Sequence, residues 1–521
     1  MNKQIRRLAI ALGVLFALIF LNLNWVQVVR GSDYRNHSGN RRVLLAEYAN
    51  PRGQIIVDGT AVATSKQTDD ELKYLRVYPK GPEYSAVTGF YSYIYDKSGM
   101  EQAADSLLSG TDKRLFGSHL ADLLTGRNPK GGSVELTLDK SAQDAAYQAM
   151  TKAGARGAVV ALDPSTGAIL AAVSTPAFDP NQLASHDRDV QSDYWAAMKP
   201  DEANSPMLNR AFNALYPAGS TFKVVVSAAA LKQGVKPDQK IYAPQYYWPD
   251  EQGSGPCGNN GGCIHNFTTS AGPEQCQPGS NTATLTYALA KSCNTAFAAL
   301  AVEKLGYDKL AEQAQSFGMD GDQLEIPLSV AKSTIGSSDV LQNDNVALGQ
   351  TAFGQRDVRV TPLQDAMIAA AVANGGTLMQ PYLVNKELGP NLSQLSVTTP
   401  SVLSQPVDAS QALQLQQMMR AVVTASEGTG HGANITDIPG VVVGGKTGTA
   451  DTGFTSAENA EPDNWFTGYA LQDEQPRIAV AVVIENSNEL KLGGVIQSSN
   501  QASSQVARAV MEAYLKAGRG D

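Results

Sequence analysis

A serine and a lysine stand three residues apart at the start of an apolar segment, YPAGSTFKVVVSAAALKQG, in which Ser220 precedes Lys223. On a helix, side chains three positions apart share one face, so this hydroxyl and amine are expected to meet. Burial lowers the pKa of a lysine, and the neutral amine that results can take the proton of a serine hydroxyl. The spacing therefore predicts a serine nucleophile with a lysine general base. The alternative is that this spacing arises by chance. It also occurs at Ser329 and Lys332, which follow Pro327 and do not begin an apolar helix.

A second polar pair, Ser292 and Asn294, interrupts the apolar segment YALAKSCNTAFAALA. Residues two apart diverge on a regular helix, so both side chains can face one cleft only where the helix ends or bends. We therefore expect a break in the helix at this point. The plainer interpretation is a helix boundary with polar capping residues, and Ser-x-Asn spacing also occurs at residues 38–40 and 498–500.

A third motif, Lys446-Thr447-Gly448-Thr449, follows the run VVVGG and is the only Lys-Thr-Gly in the chain. Alternation along a strand places Lys446 and Gly448 on one face and the two threonines on the other, unless the flanking glycines twist it. Glycines also remove side chains where another backbone must lie against the strand. Such a strand suits an extended peptide that ends in a carboxylate. An ordinary glycine-rich strand with a surface lysine is the alternative.

The elements that must position these motifs are predicted as strands early and late in the chain, with helices between them. The two apolar runs of ARGAVVALDPSTGAILAAVS indicate a hairpin, and residues 220–233 are apolar on nearly every face, as in the central helix of a cluster. Further helices are predicted at residues 283–305, 308–317, 361–374, 409–426 and 501–517, and an antiparallel meander in VVVGGKTGTA, NWFTGYA and RIAVAVVIE. This order predicts a two-lobed α/β domain with a cleft where the helical lobe meets the last sheet.

The N-terminus carries an apolar run over residues 8–29, which is long enough to cross a bilayer as a helix. A cleavable signal peptide is the alternative, but no A-x-A-like site follows the run, so an uncleaved anchor is favoured. Basic residues flank the run on both sides. The bulk of the chain is nevertheless expected outside the cell membrane, because long domains translocate even where basic residues are balanced on the two sides of the helix.

Composition excludes several classes of protein. Hydrophobic residues make up 43% of the chain and charged residues 17%, as in a globular protein without long disordered tracts. The formal net charge of −9 provides no basic field for phosphates, which argues against a nucleic-acid partner.

Cys257, Cys263 and Cys276 crowd one Gly- and Asn-rich loop, whereas Cys293 stands alone in a helical segment. A disulfide among the first three is expected outside the cytoplasm, and free thiols are the alternative. Zinc is a third alternative because His265 follows Cys263, yet neither C-x-x-C nor H-x-x-x-H spacing occurs. We therefore predict no metal site and no cofactor, and the sequence leaves open which cysteines pair.

The three motifs occur in the order S-x-x-K, S-x-N and K-T-G, which is the signature of penicillin-binding proteins and serine β-lactamases. The chain resembles a class B penicillin-binding protein over nearly its whole length. The resemblance includes the anchor, the stretch NPRGQIIVDG, the segment ALGQTAFGQRDVRVTPLQDAMIAAAVANGG and NWFTGYA after the K-T-G strand. It implies a penicillin-binding, serine β-lactamase-like α/β transpeptidase fold, with an antiparallel sheet and a helical lobe, behind a smaller N-terminal module.

The resemblance implies a serine-type peptidoglycan D,D-transpeptidase. Ser220 would attack the carbonyl between two terminal D-alanines of a stem peptide, and Lys223 would take the serine proton. Ser292 would relay a proton toward the leaving amine, while Asn294 would hold the substrate amide and Lys223. Lys446 would help to keep Lys223 neutral by like-charge repulsion. An amine from a neighbouring stem peptide would then take the acyl group and form a cross-link.

The K-T-G strand would form the other wall of the site. Lys446, Thr447 and Thr449 would receive the terminal carboxylate of the substrate, with Gly448 lying between the two threonines. The N–H groups of Ser220 and Thr449 would form an oxyanion hole, in which each donor is worth roughly 3–4 kcal/mol in other acyl-transfer enzymes. β-Lactams mimic the D-alanyl dipeptide and are expected to acylate Ser220.

The implied organisation is a cytoplasmic tail (1–7), a transmembrane anchor (8–29), an N-terminal pedestal or dimerisation-like module (30–132) and a penicillin-binding transpeptidase domain (133–521). Residues 30–132 are too few for the glycosyltransferase domain of bifunctional class A enzymes. The expected partners are therefore stem peptides, β-lactams, a membrane glycan polymerase of the SEDS family and other cell-wall or division proteins. A single-pass protein of the cell membrane with an extracytoplasmic catalytic domain is expected.

Two other functions remain open at this point. One is a D,D-carboxypeptidase or β-lactamase on the same fold, in which water replaces the acceptor amine. The other is a non-catalytic scaffold or penicillin sensor of a cell-wall complex. The intact motifs argue against a scaffold, and the short tail of residues 1–7 leaves no room for a cytoplasmic signalling part.

Overall fold

The N-terminal helix lies outside the folded body of the chain. The computed structural model describes residues 3–30, 45, 47–117, 122, 124, 129–202, 204–250, 255–257, 262–269, 272–324, 326–450, 462–485, 491–492, 495–496 and 499–518. Helical structure over Lys3–Gln27 spans 25 residues; its most apolar 18-residue window has a mean hydropathy of 2.2, and none of that window is buried. By length and composition this helix is able to cross a membrane.

Strands occur near both ends of the folded body and in short pairs between them. Their bounds are β1 (Ile55–Val57), β2 (Thr60–Gln67), β3 (Tyr74–Val77), β4 (Ser133–Leu136), β5 (Arg156–Leu162), β6 (Ile169–Thr175), β7 (Tyr216–Pro217), β8 (Lys240–Tyr242), β9 (Tyr246–Tyr247), β10 (Ile264–His265), β11 (Thr268–Thr269), β12 (Gly272–Pro273), β13 (Thr282–Thr284), β14 (Arg359–Val360), β15 (Leu378–Met379), β16 (Val384–Leu388), β17 (Gln394–Val397), β18 (Val402–Ser404), β19 (Val441–Ala450), β20 (Asp463–Gln472), β21 (Gln475–Glu485), β22 (Lys491–Leu492) and β23 (Val495–Ile496).

Helices fill the middle of the chain and close its end. Their bounds are α1 (Lys3–Asn24), α2 (Gly81–Thr88), α3 (Gly99–Ala103), α4 (Asp105–Leu108), α5 (Lys140–Ala153), α6 (Pro180–Ala184), α7 (Arg188–Met198), α8 (Lys223–Lys232), α9 (Leu285–Lys291), α10 (Asn294–Leu300), α11 (Gly306–Ser316), α12 (Ser338–Leu341), α13 (Asn345–Thr351), α14 (Pro362–Ala373), α15 (Ala409–Thr424) and α16 (Ser499–Lys516). Short 3₁₀ turns lie at Lys113–Leu115, Gly219–Phe222 and His431–Ala433, and π-helical turns at Trp25–Val29 and Ala301–Leu305.

A five-stranded antiparallel sheet forms the base of the domain that carries the three motifs, in the order β19-β20-β21-β5-β6. The early hairpin β5–β6 thus pairs with the late meander through β21 and β5, as the order of predicted elements required. Helix α14 and the helical lobe cover one face of this sheet, and α5 and α16 cover the other. The edge strand β19, which carries the K-T-G motif, therefore borders the helical lobe.

Helix α8 is the central helix of that lobe, because every residue from Lys223 to Leu231 is buried. Its sequence KVVVSAAAL has no polar face to expose, so other helices must surround it. The helix is preceded by the 3₁₀ turn Gly219–Phe222, so Ser220 lies in that turn and Lys223 begins the α-helix.

A second, six-stranded sheet joins the N-terminal module to the domain that carries the three motifs, in the order β17-β16-β4-β1-β2-β3. Strand β4 pairs in parallel with β1 and antiparallel with β16, which comes from far along the chain. The sequence did not reveal this pairing. It means that the predicted boundary at residues 132 and 133 lies within one continuous sheet.

A buried ion cluster holds the N-terminal module together. Glu101 accepts from Arg52 Nε and from Arg76 Nε, each at 2.6 Å, and Tyr78 donates to the same carboxylate at 3.1 Å. Burial by itself would raise the pKa of Glu101, but the guanidinium groups of Arg76 and Arg52 outweigh it and lower that pKa. The carboxylate is therefore ionised and fully paired in the folded module.

Candidate active site

The predicted nucleophile and base meet as expected. Lys223 Nζ lies 3.0 Å from Ser220 Oγ, and the lysine side chain is fully buried while Ser220 is partly exposed. The alternative pair of Ser329 and Lys332 lies in an irregular segment, and Lys332 is exposed. Only the first of the two Ser-x-x-Lys sequences therefore has the geometry and burial that the chemistry requires.

The Ser-Cys-Asn segment is the helix break that the sequence predicted. Helix α9 ends before Ser292, which has left-handed backbone angles of φ 65° and ψ 43°, and α10 begins at Asn294. This bend turns the main-chain oxygen and the hydroxyl of Ser292 and the side chain of Asn294 toward Lys223. The distances from Lys223 Nζ are 2.8 Å to Ser292 O, 3.3 Å to Ser292 Oγ and 2.7 Å to Asn294 Oδ1.

The contacts of Lys223 define how its protons are arranged. Ser292 O and Asn294 Oδ1 are acceptors only, and they are the two nearest partners. A neutral amine donates its two protons to these oxygens and directs its lone pair at the Ser220 hydroxyl. This is the orientation that a general base needs.

Burial favours the neutral form of Lys223. It lowers the pKa of Lys223 well below the usual value, and the neighbouring charge of Lys446 lowers it further. Burial also lowers the pKa of Lys446 to about 7. Two buried amines at one site thus disfavour double protonation.

The K-T-G strand forms the opposite wall. Lys446 Nζ donates to Ser292 Oγ at 2.8 Å and to Thr447 O at 3.0 Å. A Cβ atom on Gly448 would lie 3.1 Å from Thr221 Cγ2. Gly448 therefore faces the 3₁₀ turn Gly219–Phe222, here called the catalytic turn, on the same side as Lys446. The Thr447 hydroxyl shares a hydrogen bond with Thr429 at 2.6 Å.

The turn and the strand approach closely where an oxyanion hole is expected. Gly219 has a φ of 54°, and a Cβ atom there would lie only 2.7 Å from Thr449 O. Thr449 itself is exposed at the edge of the cleft. Glycine is therefore required immediately before Ser220 for both conformational and steric reasons.

The cysteines correct one prediction. Cys257 pairs with Cys263 inside the loop, as one of the expected possibilities, but Cys276 pairs with Cys293, which was taken to stand alone. The bend at Ser292 brings Cys293 against the loop, and a bend of this kind is not readable from spacing. Cys263, which the zinc alternative needs as a ligand, is joined to Cys257 in a disulfide.

Three residues near the site were not found from the sequence. Each comes from a distant segment. Asn266 contacts Thr295, Thr429 contacts Thr447, and Asp365 contacts Thr221 in the catalytic turn. Only Asp365 carried a readable signal, since it is a lone carboxyl in the apolar helix PLQDAMIAAAVA. Burial raises its pKa to about 7, partly offset by the Thr221 hydroxyl.

Two family models match this chain, and together they cover both modules. The penicillin-binding protein transpeptidase domain matches residues 157–512, and the penicillin-binding protein A dimerisation domain matches residues 52–134. The chain belongs to the penicillin-binding transpeptidase family. With a dimerisation domain ahead of a single transpeptidase domain, it is a class B member.

Full-length relatives support the same assignment. The chain is 42% identical over 524 residues to the peptidoglycan D,D-transpeptidase PbpA of Mycolicibacterium smegmatis, covering 99% of this chain and 100% of the relative. It is 39% identical to PbpA of Mycobacterium tuberculosis, with 99% of both chains covered.

Solved structures agree with the fold. A ceftriaxone acyl-enzyme complex of penicillin-binding protein A from M. tuberculosis matches with a TM-score of 0.81 and 40% identity, covering 91% of this chain and 100% of that one. Its penicillin G acyl-enzyme complex matches with a TM-score of 0.78 and 39% identity, covering 89% and 100%. The sequence-based predictions of the family, the fold and a serine-type D,D-transpeptidase are confirmed by these matches.

Proposed function

We propose that Ser220 is the acylated nucleophile of a peptidoglycan D,D-transpeptidase and that Lys223 is its general base. The observation that supports this most directly is the buried Lys223 amine, 3.0 Å from Ser220 Oγ and within 2.8 Å of two oxygens that only accept, Ser292 O and Asn294 Oδ1. Ser220 Oγ attacks the carbonyl carbon between two D-alanines while its proton passes to Lys223. The peptide C–N bond then breaks, the terminal D-alanine leaves with a proton, and an ester to Ser220 remains.

Ser292 and the wall lysine complete this proton path. Ser292 Oγ lies within 3.3 Å of Lys223 Nζ and 2.8 Å of Lys446 Nζ, so it links the base to the far side of the cleft. It delivers the proton to the leaving nitrogen. Asn294 holds Lys223 through its side-chain oxygen and offers its amide to the substrate backbone.

The K-T-G strand receives the other end of the substrate. Lys446, Thr447 and Thr449 bind its terminal carboxylate, and Gly448 keeps the strand free of a side chain against the catalytic turn. The N–H groups of Ser220 and Thr449 stabilise the tetrahedral oxyanion. The close approach of Gly219 to the Thr449 carbonyl supports this arrangement.

An amine from a second stem peptide then attacks the ester and forms the cross-link, which frees Ser220. Similarity to two PbpA D,D-transpeptidases over 99% of this chain supports an amine rather than water as the acceptor. β-Lactams acylate the same hydroxyl, as the named acyl-enzyme complexes of the M. tuberculosis protein support.

The catalytic domain lies outside the cell membrane on a single-pass anchor. The apolar helix over Lys3–Gln27 supports the anchor, and two disulfides support an oxidising compartment. The proposed module boundaries are residues 30–132 and 133–521. A class B protein has no glycan polymerase of its own, so it works beside a membrane polymerase of the SEDS family. Co-purification from detergent-solubilised membranes tests that contact, with the anchor segment alone as the control.

Intact-mass spectrometry of the membrane-free chain after penicillin G treatment tests the nucleophile. We expect one penicillin adduct on the wild-type protein, none on Ser220→Ala, and an unchanged adduct on Ser329→Ala, which alters the other Ser-x-x-Lys sequence. An adduct that persists for hours supports a transpeptidase, whereas rapid loss indicates a β-lactamase. An adduct on the Ser220→Ala protein overturns the proposal.

A further inference from the structure

The catalytic bend at Ser292 needs support from outside its own helix. Its φ of 65° lies in the left-handed region, which residues other than glycine seldom adopt. Such a conformation persists where the surrounding structure over-determines it. Both oxygen atoms that Ser292 presents to Lys223 depend on this bend, since one is its carbonyl oxygen and the other its hydroxyl.

The start of helix α10 lacks a cap of its own. Cys293 occupies the N-cap position, and it makes no side-chain hydrogen bond to the first turn. Asn266 supplies that bond from a distant segment: its Oδ1 accepts from Thr295 N at 3.1 Å, while the Thr295 hydroxyl donates to Pro244 O at 2.6 Å. The amide nitrogen of Asn266 donates to Glu274 O at 3.1 Å. Asn266 is only 5% exposed, so water does not replace these contacts.

Three consecutive residues are tied to the same loop. Cys293 is joined to Cys276 by a disulfide in which both cysteines are buried. Asn294 Nδ2 donates to His265 O at 3.3 Å. Thr295 is capped by Asn266, as described above. His265, Asn266 and Cys276 therefore hold the three residues immediately after the bend.

We propose that Asn266 is a positioning residue for the acylation of Ser220, and that it acts with the Cys276–Cys293 disulfide to hold the Ser292 bend. The proposal rests on the proposed roles of Ser220 and Lys223. Without the cap and the covalent tie, the Thr295 N–H loses its acceptor and the bend relaxes toward ordinary helix. The Ser292 carbonyl then leaves Lys223, and the amine no longer directs its lone pair at Ser220.

This makes the site sensitive to the redox state of one particular disulfide. The second disulfide, Cys257–Cys263, joins two residues that both lie outside the Ser292–Asn294 motif and provides a matched control. Opening either bond by substitution removes one cross-link from the same loop. Only the loss of Cys276–Cys293 is expected to slow acylation.

Stopped-flow acylation by a fluorescent penicillin tests the proposal, because it separates the limiting acylation rate from the affinity of the initial complex. We expect Asn266→Leu, which keeps the shape of the side chain but removes the acceptor, to lower the limiting rate 10- to 100-fold with little change in affinity. The double variant Cys276→Ser/Cys293→Ser should do the same. The double variant Cys257→Ser/Cys263→Ser should acylate at the wild-type rate.

Two further measurements keep the result decisive. Asn266→Asp retains an oxygen for Thr295 and should recover most of the rate lost in Asn266→Leu. If Asn266→Leu fails to fold by circular dichroism, reduction of wild-type protein by a phosphine replaces it, and the limiting rate should fall as in the Cys276/Cys293 variant.

The outcomes distinguish this proposal from the proposed function. If wild-type protein carries a penicillin on Ser220 while Asn266→Leu and the Cys276/Cys293 variant acylate at its rate, the positioning role is wrong and the nucleophile stands. Equal slowing in the Cys257/Cys263 control likewise overturns it, because the loop would then act only through general stability. If wild-type Ser220 is not acylated, the proposed function itself fails.

Discussion

Lys223 and Lys446 direct their side-chain nitrogens at the same hydroxyl, that of Ser292, from opposite walls of the cleft, at 3.3 and 2.8 Å. One lysine begins the central helix and the other lies on the edge strand of the sheet. A single hydroxyl therefore connects the two lobes of the domain, and its geometry depends on both. Because both amines are buried at the same site, the protonation state of each affects the pKa of the other.

Lys446→Met is expected to shift the pH dependence of acylation. Removing the neighbouring charge raises the pKa of Lys223, so more of it is protonated at a given acidic pH and the acid limb of the rate profile moves to higher pH. We expect the rate to fall by roughly 10²- to 10⁴-fold below neutrality, since proton transfer is impaired. Penicillin acylation rates from acidic to alkaline pH measure this.

The control for this variant is Lys332→Met, which alters the exposed lysine of the other Ser-x-x-Lys sequence. Its rate profile should coincide with that of the wild type. A Lys446→Met profile with an unmoved acid limb contradicts the like-charge argument.

Gly219→Ala is expected to impair acylation more than stability. The new Cβ would lie 2.7 Å from Thr449 O, so the catalytic turn and the K-T-G strand must separate. A displacement of about 1 Å costs on the order of 100-fold in rate. Acylation rates and thermal midpoints, measured side by side, check this.

Gly234→Ala is its matched control, because Gly234 also has a positive φ but a Cβ atom there meets nothing within 4 Å. It should lose about 1 kcal/mol of stability and keep its acylation rate. If both variants acylate alike, crowding at Gly219 has no catalytic consequence.

Glu101→Gln is expected to destabilise the N-terminal module strongly. The buried guanidinium of Arg76 would lose its counter-charge and that of Arg52 would keep only Asp105, and breaking a buried pair in this way costs about 3–5 kcal/mol. Because the folded-state pKa of Glu101 is lowered, its contribution is present at neutral pH and is lost as pH falls through that folded pKa. Thermal unfolding of wild type and variant across acidic pH measures both effects.

Glu312→Gln removes an exposed carboxylate that pairs with Lys232, and it should leave the free energy of unfolding nearly unchanged because solvent screens this pair. Similar losses in the two variants would mean that the buried cluster carries no special stability.

Asp365→Leu is expected to stabilise the protein increasingly as pH rises. Asp365 is buried, and burial raises its pKa from 3.8 to about 7, which the Thr221 hydroxyl offsets only in part. The unfolded chain therefore releases this proton at lower pH than the folded one, and wild-type stability falls between pH 3.8 and 7, then levels off.

Leucine has the same number of side-chain heavy atoms and no charge to bury. The pH-dependent gain should approach about 4 kcal/mol above neutrality as an upper limit. Calorimetric midpoints at pH 5 and pH 8 measure it, and an equal shift at both values would show that Asp365 does not retain its proton.

The sequence predicted those parts of the molecule that local spacing determines. Ser220 and Lys223 share a helical face, and the break at Ser292 follows from two polar residues that a straight helix would separate. The late meander and the early hairpin each consist of strands that are neighbours in sequence, so each could be recognised from one segment. These features depend on neighbours along the chain.

The remaining features depend on residues that are distant in sequence. Asn266 caps a helix that begins at Asn294, and Cys293 pairs across a bend whose direction only the fold determines. The pairing of β4 with β16 likewise joins segments that no local pattern relates. Asp365 was visible as a lone carboxyl in an apolar helix, but its neighbours were not.

The continuous sheet that β4 shares with β1 and β16 determines where the chain can be cut. A fragment that starts at residue 133 would leave β4 as a bare edge, with a row of unpaired main-chain groups ready to recruit strands from other copies. Soluble material for crystallisation or inhibitor screening is better obtained by removing the apolar N-terminal helix alone and retaining everything from residue 30 onward.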